Sequence, residues 1–363
     1  MKQFIFKPLF LALSLSLVLA SCSSDDDFIA SENPPTNEDD DNNDNNDDEN
    51  SQGIYDLGFI VANEGNFGSP NASVSYISAD LENLENNIFN TANTGENVGD
   101  VLNSIAFDDD YAFLVVNNSN KVLVVNRYTF ELEATLTQDI DMPRFAGAEN
   151  GKLYISNSAS QSIAIYNTNN FSFESAIVLD KPVEQLEIDN GYLYVQNAAF
   201  NTGNEITVIN LSNNQVETTL TVGDGLNSID VENGVLYALS AEGIATISTT
   251  SNNLTGTINF TEGFTGGTKL DIENNEIYFI SGSKIYNYAI SATELTDTPL
   301  MDTQVNDESW FLGYGFAVEN DKIFYSNVNG FTANSEVYVY DLEGNLEKTL
   351  TTGIGANNFY FND

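Results

Sequence analysis

The sequence contains no histidine, one cysteine and only 11 lysine and arginine residues against 54 aspartate and glutamate residues, so its formal net charge is −43. Without histidine, the usual zinc, copper and haem ligand sets and the Ser-His-Asp and Cys-His catalytic arrangements cannot be assembled. A polyanion repels the phosphates of DNA and RNA, which argues against nucleic acid as a partner. We therefore expect a protein that is not an enzyme and that has no catalytic residue, metal or cofactor.

The single cysteine, Cys22, ends a segment with the features of a signal peptide. Lys2 and Lys7 precede an apolar run over residues 9–20, and the sequence Leu-Ala-Ser-Cys closes it. This ending resembles the lipobox of bacterial lipoproteins, and the run is short for a membrane span. The alternatives are an ordinary secretory signal or a short membrane anchor. We expect residues 1–21 to be a lipoprotein signal peptide and Cys22 to carry the acyl chains that hold the protein to a membrane.

Residues 22–55 are acidic and low in complexity. The Ser-Ser-Asp-Asp-Asp run directly after Cys22 resembles the signal that exports Bacteroidetes lipoproteins to the outside of the outer membrane. Its alternative reading is simply the start of a spacer. The Asp/Asn-rich stretch that follows lacks the glycine at the sixth position and the glutamate at the twelfth position that a calcium loop requires, so it predicts a disordered tether. We expect the protein to lie at the cell surface, anchored in the outer membrane.

One pattern, Asn-Ser-Ile-Asp-Val-Glu-Asn-Gly-Val-Leu-Tyr-Ala-Leu-Ser at residues 227–240, recurs along the rest of the chain. Alternating apolar residues on both sides of an Asn-Gly turn predict an antiparallel β-hairpin. Positions equivalent to Tyr237 are spaced by 40, 40, 43, 41 and 46 residues, and they are Leu114, Tyr154, Tyr194, Tyr237, Tyr278 and Phe324. A period near 40 with about four short strands per unit indicates a β-propeller.

Two incomplete units flank the six complete ones. Residues 57–90 contain strands but no inner strand, whereas residues 357–361 resemble the inner strand at 227–231 and then the chain stops. Together they complete a seventh blade and remove both sheet edges. The fold class is therefore all-β, a seven-bladed β-propeller over residues 56–363 that is closed by the C-terminal strand, and we expect no helix in it.

Candidate ligand-binding residues come from loops that propeller topology places on one face, here called the top face. It receives the loop between the second and third strands of each blade and the loop that enters each blade. Several of these loops are long and aromatic, and aromatic rings beside amides are typical of small-molecule sites. Some rings are instead expected to cap the blade cores. The candidates are Asn63, Glu64, Asn66, Phe67, Asn71, Arg144, Phe145, Phe200, Phe264, Trp310, Phe311, Tyr314 and Phe331.

One residue per blade begins the inner strand at the mouth of the central channel. These residues are Asn103, Arg144, Glu184, Asn227, Thr268, Tyr314 and Asn357. They form either a ligand-binding ring or a set of ordinary turn residues. Arg144 is the more specific indication, since basic residues are scarce. It is expected either to pair with Glu184 in the neighbouring blade or to meet an anionic ligand group.

The sequences Ala-Asn-Glu-Gly-Asn-Phe-Gly at residues 62–68 and Asn-Ala-Ser-Val-Ser-Tyr at residues 71–76 resemble the opening blade of a Bacteroidetes surface lipoprotein propeller family. That family is similar to the YVTN-type propellers and includes the BtuG-like cobalamin-binding proteins. The resemblance implies capture of cobalamin or another corrinoid for a TonB-dependent outer-membrane transporter. Several units lack the Val-Asp pair of the YVTN third strand.

Two other function classes stay open at this stage. A propeller of this kind can bind a surface protein or a glycan through the same face. It can also be a calcium-dependent, lactonase-like hydrolase, although carboxylates are so abundant that no pair stands out.

Overall fold

The computed structural model describes residues 53–199, 202–264, 266–305 and 311–362. The predicted signal peptide, Cys22 and nearly all of the predicted tether lie outside these residues. No helix in the described part of the chain is long and apolar enough to cross a membrane.

The first four blades follow one another along the chain, each as an antiparallel meander. Blade 1 contains β1 (Gly58–Asn63), β2 (Ser73–Ser78) and β3 (Leu84–Asn86), followed by helix α1 (Ile88–Ala92). Blade 2 contains β4 (Leu102–Phe107), β5 (Tyr111–Val116), β6 (Lys121–Asn126) and β7 (Leu132–Leu136). Blade 3 contains β8 (Pro143–Glu149), β9 (Lys152–Asn157), β10 (Ser162–Asn167) and β11 (Phe173–Val178). Blade 4 contains β12 (Leu186–Asp189), β13 (Tyr192–Ala199), β14 (Thr202–Asn210) and β15 (Gln215–Thr221).

The last three blades carry small additions to the same plan. Blade 5 contains β16 (Ser228–Glu232), β17 (Val235–Leu239), β18 (Gly243–Ser248) and β19 (Asn253–Phe260), and blade 6 begins with β20 (Thr268–Glu273), β21 (Glu276–Ser281) and β22 (Lys284–Ala289). Next come β23 (Glu294–Leu295), parallel to β19 in blade 5, and β24 (Met301–Asp302), which completes blade 6. Blade 7 contains β25 (Leu312–Glu319), β26 (Lys322–Asn327), the 3-10 helix Asn329–Phe331, β27 (Glu336–Tyr340) and β28 (Leu346–Thr351).

The chain ends with β29 (Ala356–Asn362), which is the inner strand of blade 1. It pairs antiparallel with β1, from Gly58 opposite Asn362 to Asn63 opposite Ala356. The two ends of the described propeller are thereby held in one sheet. The predicted seven-bladed ring with its closing C-terminal strand is confirmed.

Turn chemistry explains why the first two strands of most blades form tight hairpins. The turn between β16 and β17 has Asn233 at φ 51° and Gly234 at φ 79°, and the turn between β8 and β9 has Asn150 at φ 52° and Gly151 at φ 76°. Two successive residues with positive φ give a turn whose twist matches that of the strands. Asn and Gly are the residues that reach this conformation at least cost.

The apolar core lies between neighbouring blades. Phe59 and Phe324, from blades 1 and 7, have ring centroids 4.6 Å apart and belong to one buried cluster. The second and third strands of each blade carry most of this burial, whereas outer strands such as β15 are largely exposed. Because the inner strands need not supply this core alone, some of their side chains are free to face the central channel.

Three details differ from the sequence expectations. The five residues of α1 form a helix where none was expected, because Ile88 and Phe89 bury their side chains completely against the first blades. The sequence predicts a top-face loop over residues 197–204 around the candidate Phe200, but most of this segment is strand, since β13 extends to Ala199 and β14 begins at Thr202. Tyr55, placed by the sequence in the tether, is only 2% exposed and packs on Tyr76, so the folded domain includes it.

Candidate functional site

The inner strands enclose a central channel. Strands β8, β12, β16, β20, β25 and β29 line a cavity of about 480 Å³. At its mouth, residues from the starts of the inner strands are linked from blade to blade. Asn357 donates through Nδ2 to the carbonyls of Leu102 and Asn103, each at 3.0 Å, and Asn103 donates to the carbonyl of Arg144 at 2.6 Å. Part of the predicted ring of polar residues therefore forms hydrogen bonds that join neighbouring blades.

Glu64 is the carboxylate at which the first and last blades meet. Its Oε2 accepts a hydrogen bond from the Tyr314 phenol at 2.8 Å, and its Oε1 accepts one from Asn357 Nδ2 at 3.0 Å. Burial raises the pKa of Glu64, while these two hydrogen bonds and the charges of Lys269 and Arg144 act in the opposite direction. The surroundings of Glu64 thus supply both donors and positive charge at the mouth.

Arg144 pairs with Glu184, as one of the two sequence interpretations predicted. The distance from Arg144 Nε to Glu184 Oε2 is 2.7 Å, and the pair joins blades 3 and 4. Burial raises the pKa of Glu184, and the guanidinium partly offsets this. Both residues also line a second cavity of about 310 Å³. The pair therefore lies where the central channel and this second cavity adjoin.

An aromatic cluster formed by Phe311, Tyr314 and Phe331 flanks Glu64. The ring centroids are 5.8 Å apart for Phe311 and Tyr314, 5.3 Å for Phe311 and Phe331, and 5.0 Å for Tyr314 and Phe331, all edge to face. Phe311 is 40% exposed. Edge-to-face contacts fix ring orientation and leave ring surface available to a further planar group.

The first-blade loop carries an exposed ring on a braced backbone. Phe67 is 77% exposed. Asn71 accepts a hydrogen bond from the backbone N–H of Asn66 at 2.8 Å and donates to its side chain at 2.9 Å, and Asn66 Nδ2 donates to the carbonyl of Phe331 at 2.6 Å. The loop is thereby tied to the aromatic cluster. Asn63, in contrast, is fully buried and donates to Ser75 Oγ at 2.9 Å.

Two other predicted aromatics pack into blade cores. Phe264 lies 4.6 Å from Phe260 and 4.8 Å from Tyr286, measured between ring centroids. Phe145 packs against the cluster between blades 3 and 4, although it also lines the channel. These placements agree with the expectation that some rings cap the cores. Phe200 and Trp310 lie outside the described residues.

Lys269 is a channel residue that the sequence reasoning did not select. Its ammonium lies 5.9 Å from the centroid of the Tyr314 ring, and burial lowers its pKa. Its backbone φ of 57° is in the left-handed region, and its N–H donates to Asn227 Oδ1 at 3.1 Å. The strand pairing is irregular between Thr268 and Asp271, so simple alternation does not predict which way residue 269 faces. The feature of the sequence that could have indicated Lys269 is the scarcity of basic residues.

A second layer deeper in the channel is acidic, and the sequence reasoning missed it as well. Glu187, Asp230 and Asp271 lie three residues after the inner-strand starts in blades 4, 5 and 6, where the other blades have Ala106, Gly147, Ala317 and Tyr360. Burial raises the pKa of all three carboxyls, that of Asp230 to about 7. Comparing this one position across the repeats reveals the layer.

These deeper carboxyls also join blades. Asp230 Oδ2 accepts the backbone N–H of Ile272 at 2.6 Å, and Asp271 Oδ2 accepts that of Val318 at 3.0 Å. Among the described residues, no group of three or more acidic or cysteine side chains is arranged to hold a metal ion. The channel therefore has carboxyl groups at two depths, and the basic residues Arg144 and Lys269 lie with the upper ones at the mouth.

A protein family model described as "Domain of unknown function (DUF5074)" matches residues 57–362, which is the whole of the propeller. The chain belongs to the DUF5074 family. A search of curated proteins finds no match.

Solved structures that resemble this DUF5074 domain share its fold at low sequence identity. A quinonprotein alcohol dehydrogenase-like protein (BT1487) from Bacteroides thetaiotaomicron is 12% identical with a TM-score of 0.64, covering 85% of this chain and 79% of that one. BamB from Moraxella catarrhalis is 14% identical with a TM-score of 0.52, covering 82% and 89%. The computationally designed Ika8 protein is 11% identical with a TM-score of 0.58, covering 86% and 92%. All three likenesses concern the propeller fold alone.

Proposed function

We propose that this DUF5074 propeller captures a small molecule at the mouth of its central channel and does not transform it. The observation that carries the proposal is the convergence of Glu64, Tyr314 and Asn357, from the two ends of the chain, beside the aromatic cluster. The charges of Lys269 and Arg144, which line the 480 Å³ cavity, act on Glu64. Ligand sites typically combine such a volume with apolar ring surface and a few fixed polar groups.

We further propose that the protein works at the cell surface. Acyl chains on Cys22 would anchor it to the outer membrane, and the acidic segment would hold the propeller away from the lipid. The bound molecule would then pass to a TonB-dependent transporter in the same membrane. This part of the proposal is supported by the lipobox-like segment and by the composition of residues 22–55.

A corrinoid is the first ligand to test, and its support is the resemblance of residues 62–76 to the BtuG-like propellers. A corrin ring with its side chains is larger than the 480 Å³ channel. Its plane would therefore rest on Phe67, Phe311 and Phe331 at the rim, and only a peripheral group would enter the channel. This geometry explains why exposed rings would surround a narrower polar mouth.

Calorimetric titration of the purified protein with cyanocobalamin tests this proposal, together with Phe331→Ala and Phe67→Ala. Each variant is expected to bind at least tenfold more weakly, since burial of a ring contributes about 1.5–3 kcal/mol. Leu346→Ala is the matched control, because Leu346 is 55% exposed on the outer strand β28. Absence of heat with any corrinoid would reject the hypothesis that the ligand is a corrinoid. Unchanged affinity of both ring variants for whichever ligand binds would reject the proposed location of the site.

A second candidate is the binding of a protein through the same rim. The exposure of Phe67 and Phe311, 77% and 40%, favours it because exposed aromatic residues are common at interfaces. Recovery of a transporter by the protein without any small molecule, and loss of that recovery in Phe67→Ala, would support it. Hydrolysis of a lactone or another ester that a chelator abolishes would instead support a calcium-dependent hydrolase function.

A further inference from the structure

We propose that Lys269 and Arg144 form an oxyanion-recognition site at the channel mouth, which binds a carboxylate or phosphate group of the captured molecule. This inference rests on the proposed function and names the chemical class of its ligand. The two residues come from blades 6 and 3, and both line the 480 Å³ cavity.

The first observation is that the Lys269 ammonium has no ion pair among the residues that the structure describes. In a chain with 54 acidic residues, a lysine meets a carboxylate easily, and Lys152, Lys181, Lys284, Lys322 and Lys348 all do so within 4 Å. In the described part of the chain, the ammonium of Lys269 has neither an ion pair within 4 Å nor a hydrogen-bond acceptor. Its nearest recorded contact is the face of the Tyr314 ring at 5.9 Å, and the charges of Glu64 and Arg144 act on it from farther away. Leaving a cation in such surroundings is costly unless something else binds it.

The second observation concerns the guanidinium of Arg144. Its Nε–H is used by Glu184, whereas its two Nη groups donate to no residue that the structure describes. A guanidinium offers a planar fork that matches carboxylate and phosphate oxygens. Arg144 therefore retains donors for an anion after its ion pair is formed.

The nearby carboxylates accept no hydrogen bond from the Lys269 ammonium or the Arg144 Nη groups, because each carboxylate already accepts hydrogen bonds from other donors. Glu64 is bound by Tyr314 and Asn357, and Glu184 by Arg144 Nε. The charges of Lys269 and Arg144 are also close enough to disfavour each other. An oxyanion between them would relieve that repulsion and take up the open donors.

The backbone at Lys269 gives independent support. A φ of 57° is unfavourable for a residue with a side chain, and here Asn227 stabilises it by accepting the Lys269 N–H. Strained residues held by their surroundings are frequent in binding sites. This irregular segment carries the lysine that lines the channel.

The test uses small probes that combine a ring with or without an anion: phenyl phosphate, benzoate and benzyl alcohol, titrated calorimetrically at about 0.15 M salt so that the general negative charge is screened. At least one charged probe is expected to bind the wild type at least tenfold more tightly than benzyl alcohol. Tighter binding of phenyl phosphate indicates a phosphate-bearing ligand, and tighter binding of benzoate a carboxylate.

Lys269→Met is expected to reduce affinity for the charged probe at least tenfold and to leave benzyl alcohol unchanged. Lys269→Arg should retain most of the affinity. Lys348→Met is the matched control, because it removes the same charge from a lysine paired with Glu82 on an outer strand. Equal affinity of wild type and Lys269→Met, or no preference for the charged probes, would overturn the inference.

The outcomes separate this inference from the proposed function. Loss of the charged probe in Lys269→Met without any binding of cyanocobalamin would retain the anion site and reject the corrinoid. Binding of cyanocobalamin with equal affinity by wild type and Lys269→Met would retain corrinoid capture and reject the anion site.

Discussion

Tyr314 and Glu64 are 250 residues apart in the chain, and the Tyr314 phenol donates a 2.8 Å hydrogen bond to the Glu64 carboxylate. Tyr314 belongs to the inner strand of blade 7, and Glu64 follows the second strand of blade 1. The contact forms only when the ring is closed. Ring closure and the assembly of the proposed ligand site are therefore one structural event.

Tyr314→Phe is expected to destabilise the protein and to weaken ligand binding. The change removes one donor from a half-buried carboxylate, and a hydrogen bond to a charged group contributes about 1.5–3 kcal/mol. Urea unfolding followed by far-UV circular dichroism measures the decrease in the free energy of unfolding. The control is Tyr338→Phe, whose phenol donates to Glu336 at 2.9 Å within one strand. Equal losses in the two variants would contradict a special role for the contact with Glu64.

Deletion of residues 357–363 is expected to open the ring. It removes nearly all of β29, including Phe359, whose ring stacks on that of Phe324 at 5.1 Å between centroids. Loss of a core strand exposes both sheet edges and should lower the free energy of unfolding by more than about 4 kcal/mol. Thermal melting measures this, and deletion of residues 24–50, in the predicted tether, is the control. An unchanged melting temperature in the C-terminal truncation would contradict non-covalent closure.

Much of this architecture could be predicted from the sequence because it is repeated. The hairpin at residues 227–240 occurs often enough to define strand order, turn positions and the top face. The contribution of residues 357–361 to blade 1 was predicted for the same reason, since they resemble residues 227–231. What repeats in a chain is what local patterns can reveal.

The site was only partly predictable because its decisive contacts break the repeat. The facing direction of Lys269 depends on an irregular strand with a left-handed residue, which alternation cannot reveal. The donors to Glu64 lie at the other end of the chain, so their pairing follows from closure in space. Phe264, an aromatic loop residue, packs among Phe260, Phe279 and Tyr286, and the sequence alone does not distinguish such a core ring from an exposed one.

The buried carboxyls deeper in the channel predict how stability depends on pH. Burial raises the pKa of Asp230 to about 7 in the folded protein, above its ordinary value of 3.8. Between these values the folded state keeps a proton that the unfolded state releases, so stability falls as pH rises from about 4 to about 7. Asp230→Asn, which keeps an acceptor for Ile272, should flatten this fall and raise the melting temperature at pH 8.

Melting curves from pH 4 to pH 8 test this prediction. Glu133→Gln is the control. It removes the same charge as Asp230→Asn, but from a residue that is exposed on the outer strand β7. A slope that changes equally in both variants would mean that overall charge, and not the channel carboxyls, sets the pH dependence.

Lys269→Met is expected to stabilise the free protein even though it should weaken the binding of an anion. Burial lowers the pKa of Lys269, so the folded state loses a proton at a lower pH than the unfolded state does, and stability rises with pH through that range. Removing the charge should raise the melting temperature at pH 7 by a few degrees and reduce this rise. Lys181→Met, which breaks a 2.8 Å ion pair with Glu205, should leave the melting temperature nearly unchanged. A lower melting temperature in Lys269→Met than in Lys181→Met would show that the ammonium already has a stabilising partner. A higher one would show that the lysine is held at a cost in the free protein, which is the behaviour of a residue retained for a ligand.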